Sequence, residues 1–192
     1  MGQIREHPPV QLIAGLIANP AEGFERARRA LVEAWGAIDM ESPVWPFTWT
    51  DYYTAQMGEG LLRQFVAFEE LAELEGLERT KILATEIEER LAADSKAGVK
   101  RPVNIDPGYV CQSKLVLFST KDFAHRIHVG GGIFAESTLE WRGKEFVTHA
   151  WTFPDYRTAE YRNFFAEVRV RYSRKLKPVG RPSRFDSEGK LV

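Results

Sequence analysis

A chain of 192 residues with 44% hydrophobic and 28% charged side chains has the length and composition of one ordinary globular domain, which sets aside disordered and fibrous classes. With 26 basic against 27 acidic residues the formal charge is -1, so no global field draws the chain to nucleic acid or an anionic membrane, and any anion site must be local. The one cysteine, Cys111, excludes an internal disulfide framework and any zinc site built on two or more thiolates, and it makes the cytoplasm the expected compartment.

Taken in chain order, the apolar run Val10 to Ala18 is too brief for a signal h-region with its cleavage site, and no run approaches the ~18 apolar residues that span a bilayer. The expectation is neither export nor membrane insertion. Val10 to Ala18 instead predicts a buried central strand, with a turn at Asn19-Pro20. From Pro20 to Trp35 the residues Phe24, Ala27, Leu31 and Ala34 recur at helical spacing. Glu25 lies near the start and Gly36 at the end, as helix dipole and cap rules require. Ala37 to Phe47 alternates loosely and contains Pro43 and Pro46, so it predicts an edge strand flanking the first. Thr48 to Met57 reads as a polar, aromatic loop feeding a short helix at Leu61 to Phe68, and Leu77 to Ala93 as a surface helix, giving a helical stretch over 60–93. The small polar run Asp94 to Lys100 joins two halves of a single domain.

Beyond it the texture turns to β-branched and aromatic residues. Pro102 to Ile105, Val110 to Thr120, Ala124 to Val129, Ile133 to Trp141 and Glu145 to Trp151 predict an antiparallel meander. The breaks between them are Pro107-Gly108, Lys121-Asp122, Gly130-Gly131-Gly132 and Arg142-Gly143. Gly143 suits a tight hairpin, because it can take the positive φ that such a turn demands. Thr158 to Leu176 is the last helix, ending basic before Pro178, and residues 180–192 read as an irregular tail.

The polar set Asp106, Lys114, Lys121, Asp122, His125, Arg126, Glu136, Asp155 and Arg157 falls at these expected turns, where a rigid sheet usually carries a site. In the site reading Lys121 and Arg126 neutralise an anion. His125, with Asp122 or Asp106, moves a proton near neutral pH, Glu136 contributes from a neighbouring strand, and Arg157 with Asp155 closes the pocket. The competing reading is a set of structural ion pairs. The triple glycine reads as a hairpin turn and not as a phosphate loop, since strand residues follow where a helix N-terminus is needed. His125 and His128 point to opposite faces of a strand, and no metal motif is present; a set of His125, Glu136 and Asp106 is the only metal alternative. No cofactor is identified. Cys111 reads as a small core residue, and Trp45, Phe47, Trp49, Tyr52 and Tyr53 as packing that could also stack a ring. The basic end of the last helix reads as a solvated terminus before it reads as a nucleic-acid contact.

Several longer strings carry a resemblance. Trp45-Pro46-Phe47 through Asp51-Tyr52-Tyr53, Met57 to Leu61, Arg101 to Tyr109, Thr120 to Ile127 and Trp151 to Arg157, in this order, resemble the bacterial family catalogued as domain of unknown function 4416. The resemblance runs from about Val10 to Lys177 and implies no established activity. Members sometimes carry a GTP-binding label. The chain has no Gly-x-x-x-x-Gly-Lys-Ser/Thr string, and Thr120-Lys121-Asp122 places its aspartate one residue early for a guanine-reading element, so the label finds no support in the residues.

The expected fold is therefore α+β: a mainly antiparallel sheet with helices near 20–35, 60–93 and 158–176 packed largely on one face, with a ferredoxin-like relation. The expected function is an enzyme or binding protein for a small anionic, nucleotide-like molecule. The alternative is a non-catalytic module that offers a sheet edge or its basic final helix to a protein or RNA.

Overall fold

The strands are β1 (Val10–Ala18), β2 (Ile38–Glu41), β3 (Trp45–Pro46), β4 (Leu62–Ala72), β5 (Val103–Val110), β6 (Lys114–Ser119), β7 (Ile127–Gly130), β8 (Ile133–Arg142) and β9 (Glu145–Thr148). The helices are α1 (Glu22–Trp35), α2 (Thr54–Met57), α3 (Arg79–Ala93) and α4 (Ala159–Lys175), the last preceded by a 3-10 turn at Asp155–Arg157. All come from a computed structural model that describes residues 6–18, 22–95 and 98–176. The tail expected at 180–192 lies outside those residues.

Every residue of β1 is buried, which a strand achieves only with neighbours on both edges and cover on both faces. Its edges carry β4 and β5, both antiparallel. The sheet runs β2-β4-β1-β5-β6-β8-β7, with β3 added to β4 and β9 to β8, so the chain is α+β with a nine-stranded, antiparallel sheet. Side-chain alternation sends Leu12, Ala14 and Leu16 to the face covered by Phe24 and Leu31 of α1 and by Ala84, Ile87 and Leu91 of α3. Ile13 points the other way, into Phe65 and the Tyr161, Phe164, Phe165 and Val168 side of α4. Each such fully buried aliphatic or phenyl side chain contributes about 1.5–3 kcal/mol. No helix among the described residues is long and apolar enough to cross a membrane.

The central strand, α1 and α4 form over the residues the sequence predicts, and α1 and α3 share one face of the sheet while α4 takes the other. The later strands also form, but they are no simple meander, since β6 pairs with β8 and leaves β7 at the edge. Gly143, at φ 63°, turns β8 into β9, and Gly130, Gly131 and Gly132 all take positive φ where β7 turns into β8. Three further features differ. Leu62–Ala72 is the long strand β4 and not a short helix, so the helical stretch over 60–93 contracts to α3. Phe65, Val66, Ala67 and Phe68 are buried in succession, and such a run fits a strand covered on both faces as well as it fits a helix. The predicted edge strand consequently pairs with β4 and not with β1. The first strand also has antiparallel partners on both sides, whereas the split β-α-β unit of a ferredoxin-like arrangement gives it a parallel one.

The third difference is at Pro107-Gly108, which is the interior of β5 and not a turn. β5 pairs with β6 only over Gly108 to Val110, so a residue without an N–H at 107 leaves no rung to β6 unmade. Gly108 is required for another reason: a Cβ there would lie 2.1 Å from the Val116 carbonyl oxygen. We expect Gly108→Ala to lower unfolding free energy by at least about 2 kcal/mol, read from the urea midpoint, because backbone and not a flexible side chain blocks the methyl. An unchanged midpoint would contradict this packing.

Candidate functional site

Past Gly108 and Leu117 the strands β5 and β6 part, leaving the first half of β5 without a strand partner on that side. Buried backbone groups do not go unpaired. Two side chains of α3 replace the missing strand at Ile105: its N–H donates to Glu88 Oε1 at 2.6 Å, and its carbonyl accepts from Lys81 Nζ at 2.6 Å. Lys81 and Glu88 are about two helical turns apart, the spacing that puts both on one face of α3, and both are buried. Burial raises the Glu88 carboxyl above its ordinary range, against the pull of Lys81, Arg101 and the Ile105 amide. Arg101 donates to both Glu88 and Asn104, which fixes the entry into β5.

The parted strands open a cleft of about 680 Å³, within the range of small-molecule sites. Its floor is organised by Arg63. The side chain leaves β4 and passes over Gly15 of β1, where a Cβ would sit 2.9 Å from Arg63 Nη1. Arg63 Nη2 donates to Asp155 Oδ2 at 2.9 Å, and Nη1 lies 3.6 Å from Asp106 Oδ2. The guanidinium also faces the rings of Phe47 at 5.2 Å, Phe65 at 5.1 Å and Tyr156 at 5.6 Å. Asp106 accepts from Asn104 Nδ2 at 2.6 Å and meets Lys81 Nζ at 3.4 Å. Burial works to raise the Asp106 carboxyl, but Lys81, Arg63 and the Asn104 hydrogen bond together hold it below its ordinary range.

The opposite wall comes from β8 and the 119–126 loop. Glu136, 2% exposed, accepts from Arg126 Nε at 2.7 Å and meets His125 Nε2 at 2.9 Å on the same oxygen. Arg126 Nη1 in turn donates to Ser119 Oγ at 2.9 Å and to the Lys121 carbonyl at 3.0 Å, which locks the loop. At the mouth, Lys121 Nζ donates to the Tyr52 hydroxyl at 2.5 Å; that bond, with the ammonium charge, lowers the Tyr52 phenol. Trp49, Tyr52, Phe123 and Phe153 line the cleft while being 41–65% exposed, a concentration of bare aromatic surface around one opening.

Of the residues singled out by sequence, Asp106, Lys121, Asp122, Arg126, Glu136 and Asp155 line this cleft. His125 does not; its ring stacks on Trp151 at 5.6 Å, and its partner is Glu136 and not Asp122 or Asp106. Arg157 is also outside. Its guanidinium donates to the carbonyls of Thr152 and Ala150, and the partner of Asp155 is Arg63. Lys114 stands opposite Glu140 in the β6-β8 ladder, away from the cleft. Arg63, Lys81, Arg101 and Asn104 also line it and were not anticipated as site residues. Arg63 carried a signal all the same: one cation inside an apolar run is costly unless it is paired. Among the described residues no three or more His, Cys, Asp or Glu side chains group as a metal site.

A family model described as domain of unknown function (DUF4416) matches residues 8–172. No curated protein and no solved structure matches the chain.

The shifts have a sign that can be tested. Asp106 holds its proton less tightly folded than unfolded, so the stability it contributes is complete above the ordinary aspartate range, ~4, and is lost as pH falls through its lowered folded value. Glu88 acts oppositely, losing stability as pH rises from the carboxylate range through its raised value. Urea midpoints between about pH 2 and pH 5 should therefore show a shallower acid limb for Asp106→Asn than for the wild type. Parallel limbs would mean that the ion pairs at Asp106 add nothing to folding.

Proposed function

Because the chain belongs to the DUF4416 family, whose description names no activity, we propose its function from the cleft: it binds a small anionic molecule carrying a flat ring, of nucleotide-like chemistry. The observation that carries this reading is the pairing, in one opening, of five cations with a rim of exposed aromatics. Arg63, Lys81, Arg101, Lys121 and Arg126 line the cleft against four carboxylates, Asp106, Asp122, Glu136 and Asp155. A ring stacks on the rim and an anionic group meets Lys121, whose ammonium is exposed and bonded only to Tyr52 among the described residues. If the ligand is also turned over, the proton-moving group comes from the four carboxylates of the lining, Asp106, Asp122, Glu136 and Asp155, and His125 joins the proton traffic only through Glu136. The free, buried Cys111 supports action in the cytoplasm.

The alternative is an interaction module using a sheet edge or the basic final helix, and the helix has less behind it. Arg162, Arg169, Arg171 and Lys175 are each bonded to groups of the same chain, and Arg169 also caps the Trp141 ring at 4.0 Å. Cations engaged in this way are poor bait for phosphates.

Thermal denaturation with mononucleotides, sugar phosphates and orthophosphate tests the reading. A ligand at a hundredfold excess over its Kd adds about 2.7 kcal/mol of apparent stability, a rise in Tm of several degrees. Lys121→Met should shrink that rise while leaving the unliganded Tm within about a degree, as an exposed lysine warrants. No rise with any of these compounds would sink the proposal.

A further inference from the structure

At and beneath the cleft floor Arg63 Nε and Nη1 and the hydroxyls of Tyr156 and Tyr161 are buried and left without hydrogen-bond partners. Of these, Arg63 Nη1 and the Tyr156 hydroxyl both belong to residues lining the cleft. The nearest carboxylate oxygen to Nη1, on Asp106, is 3.6 Å away, an ion-pair distance but too long for a hydrogen bond. The two residues are neighbours, with the guanidinium carbon 5.6 Å from the Tyr156 ring centroid. Buried polar groups without partners are rare and expensive, so two of them on neighbouring residues that line one cleft mark a place where something supplies the missing partner.

The missing partner has a definite chemistry. A guanidinium has no acceptor, and burial keeps the Tyr156 phenol protonated far above neutral pH, so both groups offer hydrogens. The floor is already neutral, with Arg63 and Lys81 balancing Asp106 and Asp155. A full negative charge would gain little beside two carboxylates, whereas a neutral oxygen acceptor loses nothing to them. We infer that Arg63 Nη1 and the Tyr156 hydroxyl form a subsite for the carbonyl oxygen of a planar oxo-heterocycle, which enters ring first and leaves its anionic group at the mouth beside Lys121. This rests on the reading of the cleft as a site for a ring-bearing anion, and adds to it an orientation and a selectivity: a ring with a carbonyl is preferred to one with an amino group in the same place.

Inosine 5'-monophosphate and adenosine 5'-monophosphate differ at ring position 6, carbonyl against amino, and in the N1 proton that accompanies the carbonyl, and calorimetric titration of the full chain with each is the test. The inosine compound should bind about tenfold tighter, the value of one buried hydrogen bond to a charged donor. Tyr156→Phe keeps the ring packing and removes only the unpartnered hydroxyl, so it should leave Tm unchanged or raised while cutting the preference severalfold. Equal binding of the two nucleotides, or a preference that survives Tyr156→Phe, overturns the subsite and leaves the cleft reading standing. Binding of sugar phosphates but neither nucleotide also overturns the subsite, whereas no binding of any anion removes both.

Discussion

One pair of hydrogen bonds decides the shape of this molecule: the N–H and carbonyl of Ile105 end on the side chains of Glu88 and Lys81 instead of on a strand. A backbone unit inside a sheet has two alternatives, another strand or a polar substitute. Had β6 continued alongside β5, the sheet would have zipped shut and the cleft would be filled with ladder. Two charged residues of α3, placed two turns apart, occupy that edge and hold the strands apart from Gly108 onward. The site is thus a gap in a sheet, kept open by the helix beneath it.

The gap needs charges where burial disfavours them. Lys81 and Glu88 are each 7% exposed and Arg63 is 4% exposed, and all three are compensated by hydrogen bonds or opposite charges. Buried pairs of this kind add little net stability over apolar residues of the same size, although removing one partner costs about 3–5 kcal/mol. Their presence is better explained by position than by stability. Gly15, in the middle of the central strand, belongs to the same economy of space: without a Cβ it lets Arg63 cross from β4 to Asp106 on β5. A glycine in a strand interior otherwise weakens it.

Much of the fold could be read from periodicity. The continuous apolar run of β1, the helical spacing of α1 and α4 and the glycines at 130–132 and 143 each impose one local structure. The misreadings share a cause. Leu62–Ala72 and Pro107-Gly108 take their conformation from neighbours far away in sequence: β4 from cover on both faces, Gly108 from the Val116 backbone lying against it. The site divided in the same way. Asp106, Lys121, Arg126 and Glu136 were legible because polar residues at sheet ends converge, even though Asp106 lies within β5 and not in the expected turn. Lys81 and Arg101 were not, because nothing local distinguishes a helix lysine that satisfies a distant carbonyl from one that points into water. Arg157, expected to close the pocket with Asp155, lies outside it because its guanidinium turns back to the carbonyls of Ala150 and Thr152.

Amide hydrogen exchange at Ile105, followed by NMR, reaches the central claim most directly. With its N–H held by a buried carboxylate, Ile105 should exchange as slowly as the paired amides of Gly108 to Val110, although no strand lies beside it on the edge away from β1, and Glu88→Ala should speed Ile105 far more than those neighbours. Rapid exchange at Ile105 in the wild-type protein, at the rate of an open loop, would mean that α3 does not hold the sheet apart.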